Sequence, residues 1–314
     1  MNISRVAELL RGMDRILILT HVRPDGDTVG CAAALCQALR DMGKESYLLY
    51  NPGITATYEP YARDYWAPEG WEPSGVVSTD VAVLDLLPDN AAPYRQRIDL
   101  AIDHHPSHSY FARESYVDAS AAACGEILYA VIRELTDITP AIALRLYVAI
   151  ATDCGCFVYS NTTANTHRIA AELMAHEFGV AEVNKALFRT KSKVRLRMEA
   201  HMAAHMELYD SDRVVVMTIP LALRQEMQAT EADIEELSSL AALVEGTDCA
   251  ITLRELRDGV VKVSVRTGPR VNATDVCARL GGGGHRAAAG ATVNGTMDEV
   301  KLAVLRAVEE VAGA

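Results

Sequence analysis

The chain has 314 residues, half of them apolar and 23% charged, with a net charge of −12. That length accommodates two domains, since single hydrophobic cores stop growing near about 250–300 residues. The acidic balance excludes a protein that gathers long nucleic acid through a global field, yet leaves room for short nucleotides held by a local site.

The predicted elements start with a buried strand at 15–20 and a helix at 28–40. Further strands are predicted at 47–50, 81–84 and 100–102, then apolar helices at 122–135 and 141–150. Pro140 suits the first turn of the second helix. Short β-rich runs alternating with helical patterns predict a parallel sheet wrapped by helices. Residues 51–75, with four prolines, three glycines and both tryptophans, read as an irregular excursion, a lid or a surface insertion. Helical patterning runs from 165 to about 208 and contains the basic run Arg189, Lys191, Lys193, Arg195 and Arg197. A solvated face joining two domains is favoured over a phosphate-attracting wall. Strands at 213–219, 250–256 and 260–267 follow, the last two forming a hairpin through Asp258-Gly259. Helices are predicted at 232–244, 274–280 and 297–311. The fold class is α/β: a parallel-sheet catalytic domain at 1–189, a helical linker at 190–210, and a smaller mixed α/β domain at 211–314.

The seven cysteines are odd in number and lack CxxC pairing, so reduced core thiols and a cytoplasmic location are expected. Ile16–Leu19 is too short to span a bilayer, and no membrane contact is expected.

The chemistry-bearing residues lie at predicted strand ends, where α/β sheets gather ligands. His21, Asp25 and Asp27 follow the first strand, Asp85 ends the apolar run 81–84, and Asp103-His104-His105 follows the strand at 100–102. Asp27 alone would read as a helix cap, and a lone histidine as a structural residue. Three strand ends presenting carboxylates and imidazoles instead point to metal chemistry, because adjacent carboxylates repel unless a cation neutralises them. Asp153 closes an apolar helix, where the macrodipole disfavours a carboxylate and a metal ion would compensate. Near the C-terminus, Gly281–Gly284 precede His285. Such glycines let backbone N–H groups cradle phosphate, although a glycine run alone is more often a turn.

In this order, His21/Asp25/Asp27, Asp85, Asp103-His104-His105, Asp153 and Gly282-Gly283-Gly284-His285 with Ala288-Ala289-Gly290 resemble the DHH/DHHA1 phosphoesterases. The likeness spans nearly the whole chain and is strongest to the RecJ-like branch of nanoRNases and pAp phosphatases. It implies one metal on His21, Asp25 and Asp85, and a second on Asp27, Asp85, His104 and Asp153, with Asp85 shared. Asp103 would orient the histidines and His105 would face the scissile phosphate. Asp85, Asp103 and His105 are therefore the expected catalytic residues. Arg266, Gly283, Gly284 and His285 would bind substrate, closing over the metals from the second domain. Two divalent ions, manganese foremost, suit the mixed imidazole/carboxylate set and can clamp the attacking and leaving oxygens of an in-line displacement.

The resulting expectation is a hydrolase of short oligoribonucleotides and of 3′-phosphoadenosine 5′-phosphate (pAp), with no long duplex as partner and a homodimer allowed. The alternatives are a phosphodiesterase of linear or cyclic dinucleotides (pApA, c-di-AMP) and a non-catalytic nucleotide- or RNA-binding module. An inorganic pyrophosphatase is disfavoured, because its second domain lacks the Gly-Gly-Gly-His signature.

Overall fold

The computed structural model describes residues 1–312, and the chain divides into two compact units, Met1–Thr190 and Lys191–Ala314. In the first, helix α1 (Ile3–Gly12) leads into strand β1 (Ile16–Leu19), helix α2 (Gly26–Asp41) and strand β2 (Ser46–Leu48). Strands β3 (Gly75–Thr79), β4 (Leu100–Asp103) and β5 (Glu114–Val117) follow, then helices α3 (Cys124–Leu135), α4 (Pro140–Asp153) and α5 (Ala164–Met174). All five strands are parallel, in the order β2-β1-β3-β4-β5.

The sequence of β1 is apolar throughout because both faces of the sheet are covered. Ile16 and Ile18 join Val77, Leu100 and Ile102 in the larger core with α2, α3 and α4. Leu17 and Leu19, one residue out of phase, join Val76 in a smaller core on the other face. The strand expected at 81–84 lies earlier, at Gly75–Thr79. Val81, the first residue of that apolar run, instead packs with Leu87, Ala91 and Ile98 in the smaller core. Burial without a strand explains the misplacement, since an apolar run marks interior but not hydrogen-bonding pattern.

Glycines and alanines let the helices approach closely. A Cβ on Gly26 would overlap the Thr152 side chain, and one on Gly30 would overlap the Arg145 carbonyl of α4. On α3, a Cβ at Gly125 would lie 2.8 Å from that of Ala149. The irregular stretch 51–75 contains only a helical turn at Glu59–Ala62 and a 3-10 turn at Arg63–Tyr65 outside β3. It is fastened to the body by Tyr65, whose ring lies under the Arg40 and Arg145 guanidiniums at 4.9 and 4.7 Å.

The second unit begins with helix α6 (Lys193–Ala204), within the span expected as a linker, and strand β6 (Glu207–Tyr209). Strands β7 (Val214–Ile219), β8 (Cys249–Arg257) and β9 (Val260–Thr267) follow, then helix α7 (Ala273–Ala278), strands β10 (Gly283–His285) and β11 (Ala288–Asn294), and helix α8 (Met297–Ala312). The sheet order is β10-β11-β9-β8-β7-β6, with β7 and β8 parallel and the other pairs antiparallel. The β8–β9 hairpin turns at Asp258-Gly259, where Gly259 has φ 68°. Met198 and Met202 of α6 pack on Val215, Met217 and Ile219, while α7 and α8 cover the opposite face. The span 232–244, expected as one helix, is a short α turn (Glu231–Ile234) followed by a 3-10 run (Glu235–Leu243). All seven cysteines are free thiols, six of them buried. Among the described residues no helix is long and apolar enough to cross a membrane.

Candidate metal centre

The sheet order reverses direction at β1, with β2 on one side and β3 on the other. In a parallel sheet such a switch point opens a crevice at the carboxyl ends of the strands. His21 and Asp25 follow β1, Asp80 follows β3, and Asp103 ends β4 ahead of His104 and His105. Asp80 has φ 58°, a left-handed conformation that aspartate tolerates better than most residues. The chain therefore turns at the strand end, with its amide still donating to the Ile102 carbonyl.

Asp80 joins the centre through both carboxylate oxygens. Its Oδ2 lies 3.9 Å from His21 Nε2, and its Oδ1 lies 3.5 Å from His104 Nε2. The donor atoms form two groupings, His21/Asp25/Asp80 and Asp27/His104/Asp153, with a third of Asp80/His104/His105, each within 4.8 Å. Asp80 thus occupies the place expected for Asp85. Asp85 sits exposed in the 3-10 turn Leu84–Leu86 and belongs to none of these groupings among the described residues. The difference follows from the strand's position: Asp85 ends the apolar run 81–84, whereas the strand is Gly75–Thr79 and Asp80 follows it.

Neighbouring elements hold each donor. Asp25 caps α2, accepting from the amides of Asp27 and Thr28 at 3.1 and 3.2 Å. Asp27, 1% exposed, accepts from the amides of Cys124 and Gly125 at 2.7 and 3.0 Å. It serves α3 as a cap supplied from another helix, since Ala123 offers no side-chain oxygen. Asp153 reaches the centre because Gly26 and Gly30 let α4 lie against α2. Beyond Asp153 the chain turns through Gly155, Cys156 and Phe157, with φ of 54°, 55° and 67°. Asn161 then donates to the Asp153 and Ala122 carbonyls. The buried Asn51, which the sequence reading missed, donates to Thr20 Oγ1 and to the His21 carbonyl.

The histidines are oriented by their second nitrogens. His104 Nδ1 faces the Ala121 carbonyl at 3.3 Å, so it donates and leaves the Nε2 lone pair toward Asp27, Asp80 and Asp153. Asp103 Oδ1 accepts from His105 Nδ1 at 2.8 Å and from the amides of His104 and His105. This bond to Asp103 raises the His105 pKa against the opposing effect of burial. Burial works to raise the Asp103 carboxyl, yet the bonds from His105 and the two amides hold it below the ordinary range.

The residues fit divalent cations. Burial first, and then the charges of neighbouring carboxylates, pushes the Asp27 and Asp80 carboxyls well above their usual range. Asp80 Oδ1 is buried with no hydrogen-bond partner. Repelling buried carboxylates, one of them unsatisfied, are costly unless a cation neutralises them. Imidazole and carboxylate together suit first-row divalent metals. The centre lines a cleft of about 540 Å³, whose walls include His21, Asp25, Asp80, His105 and Asp153, with Arg23 and the apolar Val22, Ala82 and Leu86 beside them.

In the second unit, His285 of β10 lies opposite Ala288 of β11, which lies opposite Arg266 of β9. Gly283, Gly290 and Ser264 form the next row on the same face. Small residues thus make a floor between a guanidinium and an imidazole. Gly284 has φ 147°, and a Cβ there would meet the Ala289 backbone at 2.6 Å, so a larger residue would push β10 off β11.

Residues 15–150 match the DHH family, N-terminal domain, and residues 212–314 match the DHHA1 domain. The bifunctional oligoribonuclease and PAP phosphatase NrnA of Thermus thermophilus is 34% identical to the chain, over 97% of the chain and 93% of that relative. The chain belongs to the DHH/DHHA1 phosphoesterase family. NrnA of Bacillus subtilis is similar to this DHH/DHHA1 protein at 27% identity, over 91% of the chain and 92% of the relative. In fold, an exopolyphosphatase-related protein from Bacteroides fragilis superposes with a TM-score of 0.89 at 21% identity, covering 99% and 96% of the two chains. The DHH/DHHA1 chain is accordingly a hydrolase of phosphoester bonds.

Proposed function

We propose that this phosphoesterase degrades short oligoribonucleotides to mononucleotides and converts pAp to AMP and phosphate, using two manganese ions in the cleft of the first unit. The observation that supports this most is Asp80, which offers one oxygen to each of two histidine–carboxylate groupings. The relatives named for oligoribonuclease and PAP phosphatase activity supply the substrate class.

His21, Asp25 and Asp80 would hold one ion, and Asp27, Asp80, His104 and Asp153 the other. Bound divalent ions supply positive charge to the phosphoryl group and make water a competent nucleophile at neutral pH. His105, with Nδ1 tied to Asp103, keeps Nε2 for the substrate. As an imidazolium it donates to the oxygen on which charge develops. The cleft gives the reacting phosphate a fixed place, and positioning is most of what phosphoryl transfer demands of the protein. In the second unit, Arg266 and His285, with the Gly283–Gly284 backbone, grip a terminal phosphate of the substrate. Arginine suits that task because its planar fork matches a phosphate bidentately. A reaction on small nucleotides in the cytoplasm fits the free thiols.

The test is hydrolysis of pAp, pApA and a five-nucleotide RNA with Mn²⁺ and with chelator, beside Asp80→Asn. Metal-dependent turnover of pAp and the RNA, lost in the variant, is expected. Turnover of pApA alone would reassign the enzyme to dinucleotide breakdown. Nucleotide binding without turnover would make it a binding module.

A further inference from the structure

Arg23 lies between two of the candidate metal donors, His21 and Asp25, and lines the same cleft. Among the cleft's lining residues it is the one guanidinium or ammonium group. No ion pair or side-chain hydrogen bond within the protein engages Arg23 among the described residues, although Asp25, Asp80 and Asp153 line the same cleft. The backbone that carries it is nevertheless pinned on both sides. Asn51 Nδ2 donates to the His21 carbonyl at 2.8 Å, and the Val22 amide donates to the Leu86 carbonyl at 2.6 Å. Gly53 packs against the Val22 carbonyl so tightly that a Cβ would overlap it. Pro24, buried, fixes the next backbone dihedral. A fixed base carrying an unengaged cation at the wall of an anion-processing cleft is a preorganised phosphate contact, since less freedom is lost when it binds.

We infer that Arg23 is a substrate-binding residue that holds a phosphate other than the one being cut. The reacting phosphate belongs at the cluster of candidate donors, where bound ions would neutralise its charge. Arg23, exposed on the loop, offers a positive charge to a neighbouring phosphate. Every substrate proposed above carries such a second phosphate, and this inference rests on that substrate class.

The test compares Arg23→Ala and Arg23→Lys with the unmodified enzyme in Mn²⁺, on pApA and on bis(p-nitrophenyl) phosphate, which has only the reacting phosphate. The expected result is a KM for pApA raised about tenfold in Arg23→Ala, equivalent to about 1.4 kcal/mol, with kcat changed far less. Arg23→Lys should recover part of the loss, and the loss on the bis ester should be at least about fivefold smaller, as the contact lies outside the reacting group. Equal losses on both substrates, or no loss on pApA, would overturn the assignment. Unchanged Mn²⁺ affinity in Arg23→Ala is expected, and its collapse would instead make the residue structural. Should the unmodified enzyme cut the bis ester and leave pApA intact, the substrate reading fails by itself. The inhibition constant of pApA against the bis ester, compared between the unmodified enzyme and Arg23→Ala, then still decides the role of Arg23.

Discussion

Asp80 and Asp85 are five positions apart and differ in everything that governs metal chemistry. The first is 2% exposed and turns one oxygen toward His21 and the other toward His104, whereas the second is solvated on a turn. Asp80→Ala should therefore lower kcat/KM by at least about 100-fold, above the loss typical of residues that only support metal ligands. Asp85→Ala should stay within about threefold, the size of an exposed change away from a site. Steady-state hydrolysis of pAp by the two variants separates them, and an inactive Asp85→Ala would restore the sequence expectation. Asp103 acts through His105, and its prediction concerns pH. The bond to Asp103 raises the His105 pKa, so the imidazolium persists to higher pH than an ordinary histidine. In Asp103→Asn that support is lost, and the alkaline limb of the kcat/KM profile should move to lower pH. Activity should fall about 10–100-fold, as for other residues that orient metal-site histidines. An unmoved limb would remove His105 as the proton donor.

At the scale of elements, the centre depends on how closely α2 lies to α4. Gly30 faces the Arg145 carbonyl with no room for a Cβ, and the obstacle is backbone, which cannot rotate away. Gly30→Leu should destabilise the first unit by about 3 kcal/mol, at the upper end of overpacking costs. It should also weaken Mn²⁺ binding, because Asp27 and Asp153 come from these two helices. Urea unfolding followed with metal titration checks both, and a variant of normal stability would show that the helices can separate without harm. Asp27 adds a second coupling. It caps α3 while facing the centre, so the helix that carries Gly125 is anchored by a prospective metal ligand.

For the whole molecule, the candidate centre is a concentration of buried negative charge in a chain that is already acidic. Neutralising it should stabilise the fold. Mn²⁺ at about 100 times its Kd should add about 2.7 kcal/mol, seen as a higher Tm in calorimetry and absent in Asp80→Ala. The metal-free protein should show the reverse side of the same charge. The folded-state pKa values of Asp27 and Asp80 are raised above their unfolded values, so the folded state binds protons more tightly. The contribution of these two groups to stability should grow on acidification through those raised values, a growth that ends near the unfolded aspartate pKa of about 3.9. Saturation with Mn²⁺ should abolish it. Asp25 and Asp103 are held low and act in the opposite sense, so the check compares the Tm–pH profile of the metal-free protein with that of Asp80→Asn, and identical profiles would contradict the burial of Asp80.

The sequence by itself determined the kind of fold and pointed to most of the candidate donors. Continuous apolar runs mark β1 and β4, helical periodicity marks α2, α3 and α4, and alternation with a turn signal marks the β8–β9 hairpin, because burial of one face or both leaves a direct imprint on residue order. His21, Asp25, Asp27, His104 and Asp153 were legible because each stands beside such an element or in a compact motif. The tertiary structure decided what depends on register and on contacts far apart in the chain. Two apolar runs, at 75–79 and 81–84, compete for one strand, and only pairing with β1 and β4 selects the first and with it Asp80. The strands β6 and β10, of three residues each, carry too few residues to print a period, and with the half-exposed β5 and the small-residue β11 are fixed by their neighbours in the sheet. Arg23, Asn51, Gly26 and Gly30 acquire meaning only from what faces them, and that is set by packing rather than by sequence spacing.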